Sequence, residues 1–330
     1  MANATVFQGI QIGPESTPGT AVAATKKLLG ISINPGIKAE VNTFRPSGNK
    51  YATVAALGKE WMEAGISSDA PTYDELAYLL ASLVGDPVIT TPLGATKARQ
   101  HVFTPNADEE DDVITYTVEF GDSNRGARFP YGLVTGLTLD VSRSRNSLSG
   151  SMIGQRYEDD VTLTTASVTS LPLVPILPSD CSIYLADTQA GLAGATALKN
   201  PFSGSWSLTG RHNPKWVLNR SNTSFKEHVE VAPELRANLL LEVDDEGMGL
   251  LTQLRSGTTK WLRLEWIGQE IETNHNHSLQ IDMACKVTNA EDFSDQDGIY
   301  AVGWEMTGAH DATWGKPFEI TIVCTTDAIA

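Results

Sequence analysis

The stretch TYDELAYLLASLV, residues 72–84, has the sequence pattern of a short amphipathic helix. A second stretch with helical spacing, DEGMGLLTQLR at residues 245–255, lies about half a chain length further on. Each is followed by an alternating strand pattern, ITYTVEF at residues 114–120 and KWLRLEWI at residues 260–267. Because internal repetition defines an architecture as a whole, this order predicts two similar β-rich units in one chain.

The first helix carries clear start and stop signals. Thr72 is a predicted N-cap, and Glu75 three residues later completes a capping box. Gly85 is a predicted C-cap residue, and Pro87 prevents the helix from continuing. The apolar residues recur at helical spacing and form one stripe: Leu76, Leu79, Leu80 and Leu83.

Strand patterns dominate the rest of the chain, and a small-residue segment at residues 187–203 divides it. We predict a mainly β protein with few helices, organised as two tandem β-sandwich or half-barrel units with one flanking α-helix each. Residues 1–186 form the first unit and begin with an irregular arm over residues 1–30, residues 187–203 form a linker, and residues 204–330 form the second unit. Further strands are predicted at residues 132–141, 147–155, 181–186, 204–210, 235–243, 277–288, 300–307 and 318–325.

Composition excludes several classes of partner. The chain has 330 residues, of which 41% are hydrophobic and 19% are charged, as is typical of globular proteins. Its net charge of −16 disfavours nucleic-acid binding and anionic membranes, because both depend on Lys and Arg. No run reaches the roughly 18 apolar residues of a membrane helix, and the start does not resemble a signal peptide. We therefore expect a soluble protein made in the cytoplasm.

The sequence contains no recognisable catalytic motif: no Gly-x-Ser-x-Gly elbow, no P-loop and no His-Glu-x-x-His. Asp292, Asp295 and Asp297 do not have the spacing of a calcium loop. His275 and His277 lack a third ligand at a recognisable spacing. The acidic run at residues 108–112 is interpreted as a solvated loop. We therefore expect no enzymatic activity, no cofactor and no metal.

Cysteines and tryptophans are predicted to pack in the interior. The cysteines are odd in number and lack Cys-x-x-Cys spacing, which disfavours disulfides and zinc: Cys181, Cys285 and Cys324. Six of the seven tryptophans lie at or after Trp206. Exposed tryptophans would suit sugar stacking, but the core of the second unit is the favoured position.

Five segments carry a resemblance that spans nearly the whole chain. They are FQGIQIGPESTPGTAVAATKKL (7–28), the strand and long polar connection at 31–59, TYDELAYLLASLVG (72–85), SLQIDMACKVTNAEDFSDQDGIYAVGWEMTGAHD (278–311) and WGKPFEITIVCTT (314–326). In this order they resemble the tail tube proteins, or major tail proteins, of long-tailed bacteriophages. The length and the second helix of this chain suggest two fused tube domains.

The resemblance implies a structural virion protein of the phage tail, made in the host cytoplasm. Such proteins assemble with copies of themselves into stacked rings, contact other tail proteins, and form a tube through which DNA passes without specific binding. Two fused units imply a homotrimeric, pseudo-hexameric ring, which is the preferred arrangement from sequence. A second half that only decorates the tube implies a homohexamer as the alternative. We expect the acidic chain to give a negatively charged lumen that repels DNA phosphates.

The family uses the long connection after the first strand for contacts between rings. By position, residues 42–59 have that role here, and a matching polar connection lies at residues 211–230. Both are predicted to be irregular. The predicted contact residues are Phe44, Arg45, Tyr51, Lys59, Trp216, Arg220, Phe225 and Lys226.

Two other classes stay open at this stage. A carbohydrate-binding or adhesin-like β-sandwich is the main alternative, because of the tryptophans in the second half. A β-sandwich enzyme that works through a carboxylate pair is the other, although no pair can be nominated from spacing.

Overall fold

The structure is a computed structural model that describes residues 8–218 and 222–329. Within them the chain has 21 strands and two α-helices, so the predicted mainly β class is confirmed. The strands of the first segment are β1 (Gly9–Pro14), β2 (Lys26–Leu28), β3 (Ser32–Phe44), β4 (Val54–Ser68), β5 (Val88–Thr90), β6 (Arg99–Phe103), β7 (Tyr116–Gly121), β8 (Gly126–Ser142), β9 (Asn146–Gly154), β10 (Glu158–Val161), β11 (Thr169–Ser170) and β12 (Cys181–Ala186). The strands that follow are β13 (Pro201–Thr209), β14 (His212–Lys215), β15 (Glu227–Glu230), β16 (Glu234–Glu242), β17 (Lys260–Glu272), β18 (His275–Ala290), β19 (Ser294–Gln296), β20 (Ile299–Gly308) and β21 (Phe318–Cys324). The helices are α1 (Tyr73–Leu83) and α2 (Leu250–Ser256).

Most strands belong to one hydrogen-bonded sheet with two main runs that pack against each other. The first run has the order β3–β4–β9–β8–β13–β16–β20, and the second has the order β12–β17–β18–β21–β6–β5. Strand β18 joins them, because residues 278–283 pair with β21 and residues 285–290 pair with β20. The runs meet where Trp206 of β13 contacts Phe318 of β21, with ring centroids 5.9 Å apart.

The strand pairing crosses the predicted boundary between the two units. β8 pairs with β13 and β6 pairs with β21, so each run contains strands of both segments. One core cluster likewise includes Leu80 of the first segment and Leu264 of the second. The predicted linker, residues 187–203, contains the 3₁₀ turn Ala190–Gly194, in which Leu192 is buried. The boundary at residues 187–203 therefore separates two segments of sequence. In the structure the two segments share a core instead of forming one each.

Two parts of the N-terminal segment are strands of the folded sheet. The prediction of an irregular arm over residues 1–30 is therefore wrong at residues 9–14 and 26–28, because β1 pairs with β7 and β2 pairs with β1, whereas residues 15–25 between them form no strand. Glu15 follows β1 and is buried, and its carboxylate accepts hydrogen bonds from the hydroxyls of Thr115 and Thr117, both at 2.8 Å. These bonds satisfy a carboxylate that would be costly to bury without partners.

Helix α1 is enclosed on all sides, and all 11 of its residues are buried. The N-cap prediction is confirmed, since the Thr72 hydroxyl accepts a hydrogen bond from Glu75 N at 3.4 Å. The Glu75 carboxylate does not complete the capping box. It accepts hydrogen bonds from Leu29 N at 2.5 Å and from Gly30 N at 2.9 Å. Burial therefore extends beyond the predicted apolar stripe and includes a carboxylate that ties down the N-terminal segment.

The second helix is shorter than predicted. The 3₁₀ turn Gly247–Gly249 takes the place of its first part, and Asp244 accepts a hydrogen bond from Gly247 N at 2.7 Å. Gly257 follows α2 with φ 66°, a left-handed conformation that glycine adopts without strain. Across the described residues, neither helix is long and apolar enough to cross a lipid bilayer.

Most of the tryptophans of the second segment lie in the interior, as predicted from sequence. Their rings are at most 4% exposed at four positions: Trp206, Trp261, Trp266 and Trp304. Trp216 and Trp314 are half-buried and pack edge to face on other aromatic rings. The four buried rings are part of the core and are not accessible for stacking on a sugar.

We expect Leu80→Ala to lower the free energy of unfolding by about 2–5 kcal/mol, because truncation leaves a cavity in the core. Leu80 is 1% exposed and lines a small internal cavity together with Leu137 of β8 and Ile320 of β21. Leu93→Ala is the matched control, since it removes the same atoms from a side chain that is 100% exposed. Urea unfolding curves compare the two variants, and equal midpoints would contradict the enclosure of α1.

Candidate functional site: the projecting hairpin

Strands β3 and β4 form a long antiparallel hairpin. Their pairing extends from Ser32 with Ser67 to Phe44 with Val54. The prediction of an irregular connection over residues 42–59 is therefore wrong at residues 42–44 and 54–59, which are strand, whereas residues 45–53 form the connecting turn. Polar residues are common on both strands because the hairpin is surrounded by solvent, and this composition is also typical of loops.

The hairpin projects beyond the sheet on which it is rooted. β4 pairs with β9 only from Met62 to Ser68, and further out β3 and β4 pair only with each other among the described strands. Every side chain from residue 37 to residue 59 is exposed. A two-stranded hairpin without further packing is marginally stable in water. The length of this one indicates a function outside the core.

One face of the hairpin stays apolar after it has left the core. Side chains alternate along a strand, so Ile37 and Val41 share the face of the buried Ile33. Leu57 pairs with Val41 and extends the same face on β4. Ile37, Val41 and Leu57 are 61%, 53% and 45% exposed. Contiguous exposed apolar side chains of this kind are typical of surfaces that become buried on association.

The opposite face carries ion pairs. Lys38 Nζ lies 3.4 Å from Glu63 Oε2, and Lys59 Nζ lies 3.5 Å from Glu40 Oε2. About half of each of these side chains is exposed, so the pairs contribute little to stability. Towards the tip the same face carries Phe44 and Val54, which pair with each other and are both exposed, so the ion pairs are confined to its inner part.

The tip contains three of the predicted contact residues. Phe44 is 56% exposed and Tyr51 is 79% exposed, and Arg45 between them in sequence is exposed as well. Gly48 has φ 83° in the turn, a conformation that other residues rarely adopt. The tip therefore presents two aromatic rings and a cation on a sharply turned backbone.

The root of the hairpin rests on a cluster of aromatic rings. Trp61 of β4 packs edge to face on Trp216, with centroids 5.5 Å apart. Trp216 in turn contacts Phe225 at 5.9 Å, and Lys59 Nζ lies 5.1 Å from the centroid of Trp216. Lys59 and Trp216, predicted as contact residues in separate segments, are thus brought together by a cation–π contact.

The second long connection folds into a ribbon that supports this root. β14 pairs with β15, so the prediction of an irregular connection over residues 211–230 is wrong at both of its ends. Glu60 N donates to Thr223 O at 3.1 Å, and Ser224 Oγ donates to Glu60 O at 2.8 Å. The described part of this connection therefore lies against the hairpin root at residues 223 and 224.

The other predicted contact residues have different positions. Phe225 is 0% exposed, and its ring lies 5.0 Å from that of Tyr131, so it packs against β8 and not on a free surface. Lys226 is exposed beside Glu227. Arg220 lies outside the described residues.

A buried ion cluster at the start of the ribbon was not predicted from sequence. Arg211 is 1% exposed, and its guanidinium contacts Asp111 and, at 2.8 Å, Glu230 Oε1. Asp111 comes from the acidic run 108–112, which sequence reasoning interpreted only as a solvated loop. The cluster joins that loop to both strands of the ribbon. Removing one partner of a buried pair typically costs about 3–5 kcal/mol, because the other charge loses its compensation.

Two histidines lie beside this cluster. His212 Nε2 is 3.1 Å from Leu83 O, at the end of α1, and its ring lies 5.2 Å from that of His228. Burial lowers the pKa of His212 to about 4, and burial also lowers the pKa of His228. Both rings are therefore neutral at pH 7, because burial disfavours the charged form.

Described residues offer little for chemistry. Among them, no group of three or more His, Cys, Asp and Glu side chains could hold a metal ion. His277 Nε2 faces Asp74 Oδ2 at 3.9 Å. Burial raises the pKa of the Cys181 and Cys285 thiols to about 12 and that of Cys324 further still. These thiols are protonated near neutral pH and are therefore poor nucleophiles.

Comparisons of the chain with protein-family models and with curated protein sequences return no match. A function must therefore be argued from the surfaces of this molecule. The hairpin, with its apolar face, its exposed tip and its supported root, is the feature that most requires a partner.

We expect the free energy of unfolding to fall as the pH is lowered from about 6.5 to about 4. Because the pKa of His212 is lowered by folding, the unfolded chain takes up a proton below pH 6.5 while the folded chain does not. The stability that neutral His212 supplies is fully present above about pH 6.5 and is lost as the pH falls to about 4, and the total loss is on the order of 3 kcal/mol.

His212→Gln should reduce the difference between urea midpoints measured at pH 7 and pH 5. His310→Gln is the control, since it replaces an exposed histidine. If both variants keep the pH dependence of the parent chain, His212 does not contribute to it.

Proposed function

We propose that this chain is the structural subunit of a phage tail tube and assembles with copies of itself into stacked rings. The supporting observation is the projecting hairpin, whose apolar face is exposed in a single copy of the chain. Contact with another copy would remove that face from water. The ion pairs on its other face would remain solvated.

Assembly of this kind would also protect the edges of the sheet. β3 pairs only with β4 among the described strands, and its outer edge therefore has unpaired backbone groups. Exposed edges invite uncontrolled association, which ring closure prevents. In a closed ring the exposed edge of each chain would be covered and the number of chains would stay fixed. Pairing of edges without closure would continue and lead to aggregation.

We favour six chains per ring over three. A ring of three requires two equivalent units in each chain. In the described residues both segments contribute to one core, and residues 223 and 224 of the second long connection lie against the root of the first. One chain therefore supplies one hairpin and one position in the ring. End-on electron-microscopy views count the subunits directly, and threefold symmetry would restore the fused-unit alternative.

The acidic balance agrees with a conduit for DNA. With a net charge of −16 per chain, a lumen lined by carboxylates would repel phosphates over about 8 Å at physiological salt. DNA would then pass without specific binding, and other tail proteins would contact the ends of the tube. The carbohydrate-binding alternative has less support, because four of the tryptophans that motivated it are buried in the core.

We expect deletion of residues 44–56 to leave soluble rings or monomers that no longer form tubes. All of these residues are exposed, so the core is unaffected by their removal. Negative-stain electron microscopy and sedimentation velocity measure the assembly, and an unchanged unfolding midpoint confirms folding. Tubes of normal length from the deleted chain would refute the assignment of the hairpin to contacts between rings.

We also expect the combined substitution Ile37→Thr, Val41→Thr and Leu57→Thr to weaken tube formation. Threonine keeps a high β propensity, but burial of each apolar side chain is worth about 1.5–3 kcal/mol. The control is Val88→Thr with Leu93→Thr and Leu173→Thr, at positions that are 67%, 100% and 59% exposed away from the hairpin. Equal assembly by both triple variants would show that the apolar face makes no contact.

A further inference from the structure

A groove of about 840 Å³ opens beside the buried ion cluster. The buried apolar side chains of Leu208, Leu235 and Phe318 line it, together with the exposed acidic loop at residues 108–110. Its volume is that of a cleft for a small ligand. It can therefore receive a few side chains at the end of a protein segment, but not an entire strand pair.

The groove has an excess of negative charge. Of its other acidic residues, Glu234 is paired with Arg236 at 3.1 Å, and Glu230 lies 2.8 Å from Arg211, which it shares with Asp111. Asp108, Glu109 and Glu110 form no ion pair with any described residue. The groove therefore favours an occupant with positive charge.

The apolar side of the groove adds a second requirement. Leu208, Leu235 and Phe318 line it beside the acidic loop, so an occupant that brings an aromatic side chain together with cations would contact both parts of the lining. The preferred occupant therefore combines positive charge with an aromatic side chain.

The hairpin tip has this chemistry. Residues 41–59 contain no Asp or Glu, although the whole chain has a net charge of −16. Arg45 and Lys50 flank the turn and form no ion pair with described residues, whereas Lys59 is already matched by Glu40. Tyr51 adds an aromatic ring that suits an apolar lining. The tip is thus a basic, aromatic turn in an acidic protein.

The tip of the same copy does not fill the groove, because every residue from 44 to 54 is exposed. We propose that the groove receives the hairpin tip of a second copy of this chain, with Arg45 and Lys50 opposite the acidic loop at residues 108–110. This contact joins two different surfaces, so each copy both inserts a tip and accepts one, and the arrangement can continue without limit. It rests on the proposed function and identifies the partner surface of the hairpin.

Charge reversal on each side, and on both sides together, tests the contact. Glu109→Lys with Glu110→Lys places cations opposite the tip, and Arg45→Glu with Lys50→Glu places anions opposite the groove. Each pair alone should lower the fraction of protein that sediments as tubes by at least about tenfold, because like charges in an interface cost several kcal/mol. The four substitutions combined in one chain should restore tubes.

The control is Asp245→Lys with Asp292→Lys, which makes the same charge change at exposed carboxylates outside the groove. It should leave tube formation unchanged. Normal tubes from the groove variant, or folded chains with all four substitutions that form no tubes, would overturn the proposed contact. If the deletion of residues 44–56 still abolishes tubes in that case, the tube function stands and only the acceptor surface is wrong. If the unmodified chain forms no tubes, both proposals fail.

Discussion

The enclosure of helix α1 is the constraint on which the rest of this structure depends. Its first turn buries two carboxylates, and each has partners from a distant part of the chain. Glu75 accepts hydrogen bonds from Leu29 N and Gly30 N, and Asp74 accepts them from Thr325 and Thr326. Buried carboxylates without partners are strongly disfavoured. The helix therefore also determines where residues 29–30 and residues 325–326 lie.

The same helix connects the interior with the projecting hairpin. β4 leads directly into α1, while His212 at the start of the ribbon contacts the carbonyl of Leu83 at the helix end. The ribbon then supports the hairpin root through Trp216 and through hydrogen bonds to Glu60. A segment with two exposed faces is therefore anchored at several points, and its direction is defined by the core. Such anchoring lowers the entropic cost of using the hairpin in an assembly.

Local sequence rules were sufficient where a structure depends on neighbouring residues. The Thr72 cap, the length of α1 and strand β12 at residues 181–186 follow from capping and alternation alone. Local sequence rules were insufficient where a run of polar residues fits two different structures. Residues 42–59 are polar because they lie on an exposed hairpin, and residues 108–112 are acidic in a run that includes the buried Asp111. Composition does not distinguish an exposed strand from a loop, or a buried carboxylate from a solvated one.

The sequence by itself determined the mainly β class, the first helix with its cap, the position of most strands, and the acidic balance without a recognisable catalytic motif. The tertiary structure alone decided that both segments share one core, that Phe44 is exposed while Phe225 is buried, and that Lys59 meets Trp216. The physical reason is the separation in sequence over which each interaction acts. Caps and side-chain alternation act between residues a few positions apart, whereas a shared core and a supported hairpin depend on which distant strands pair.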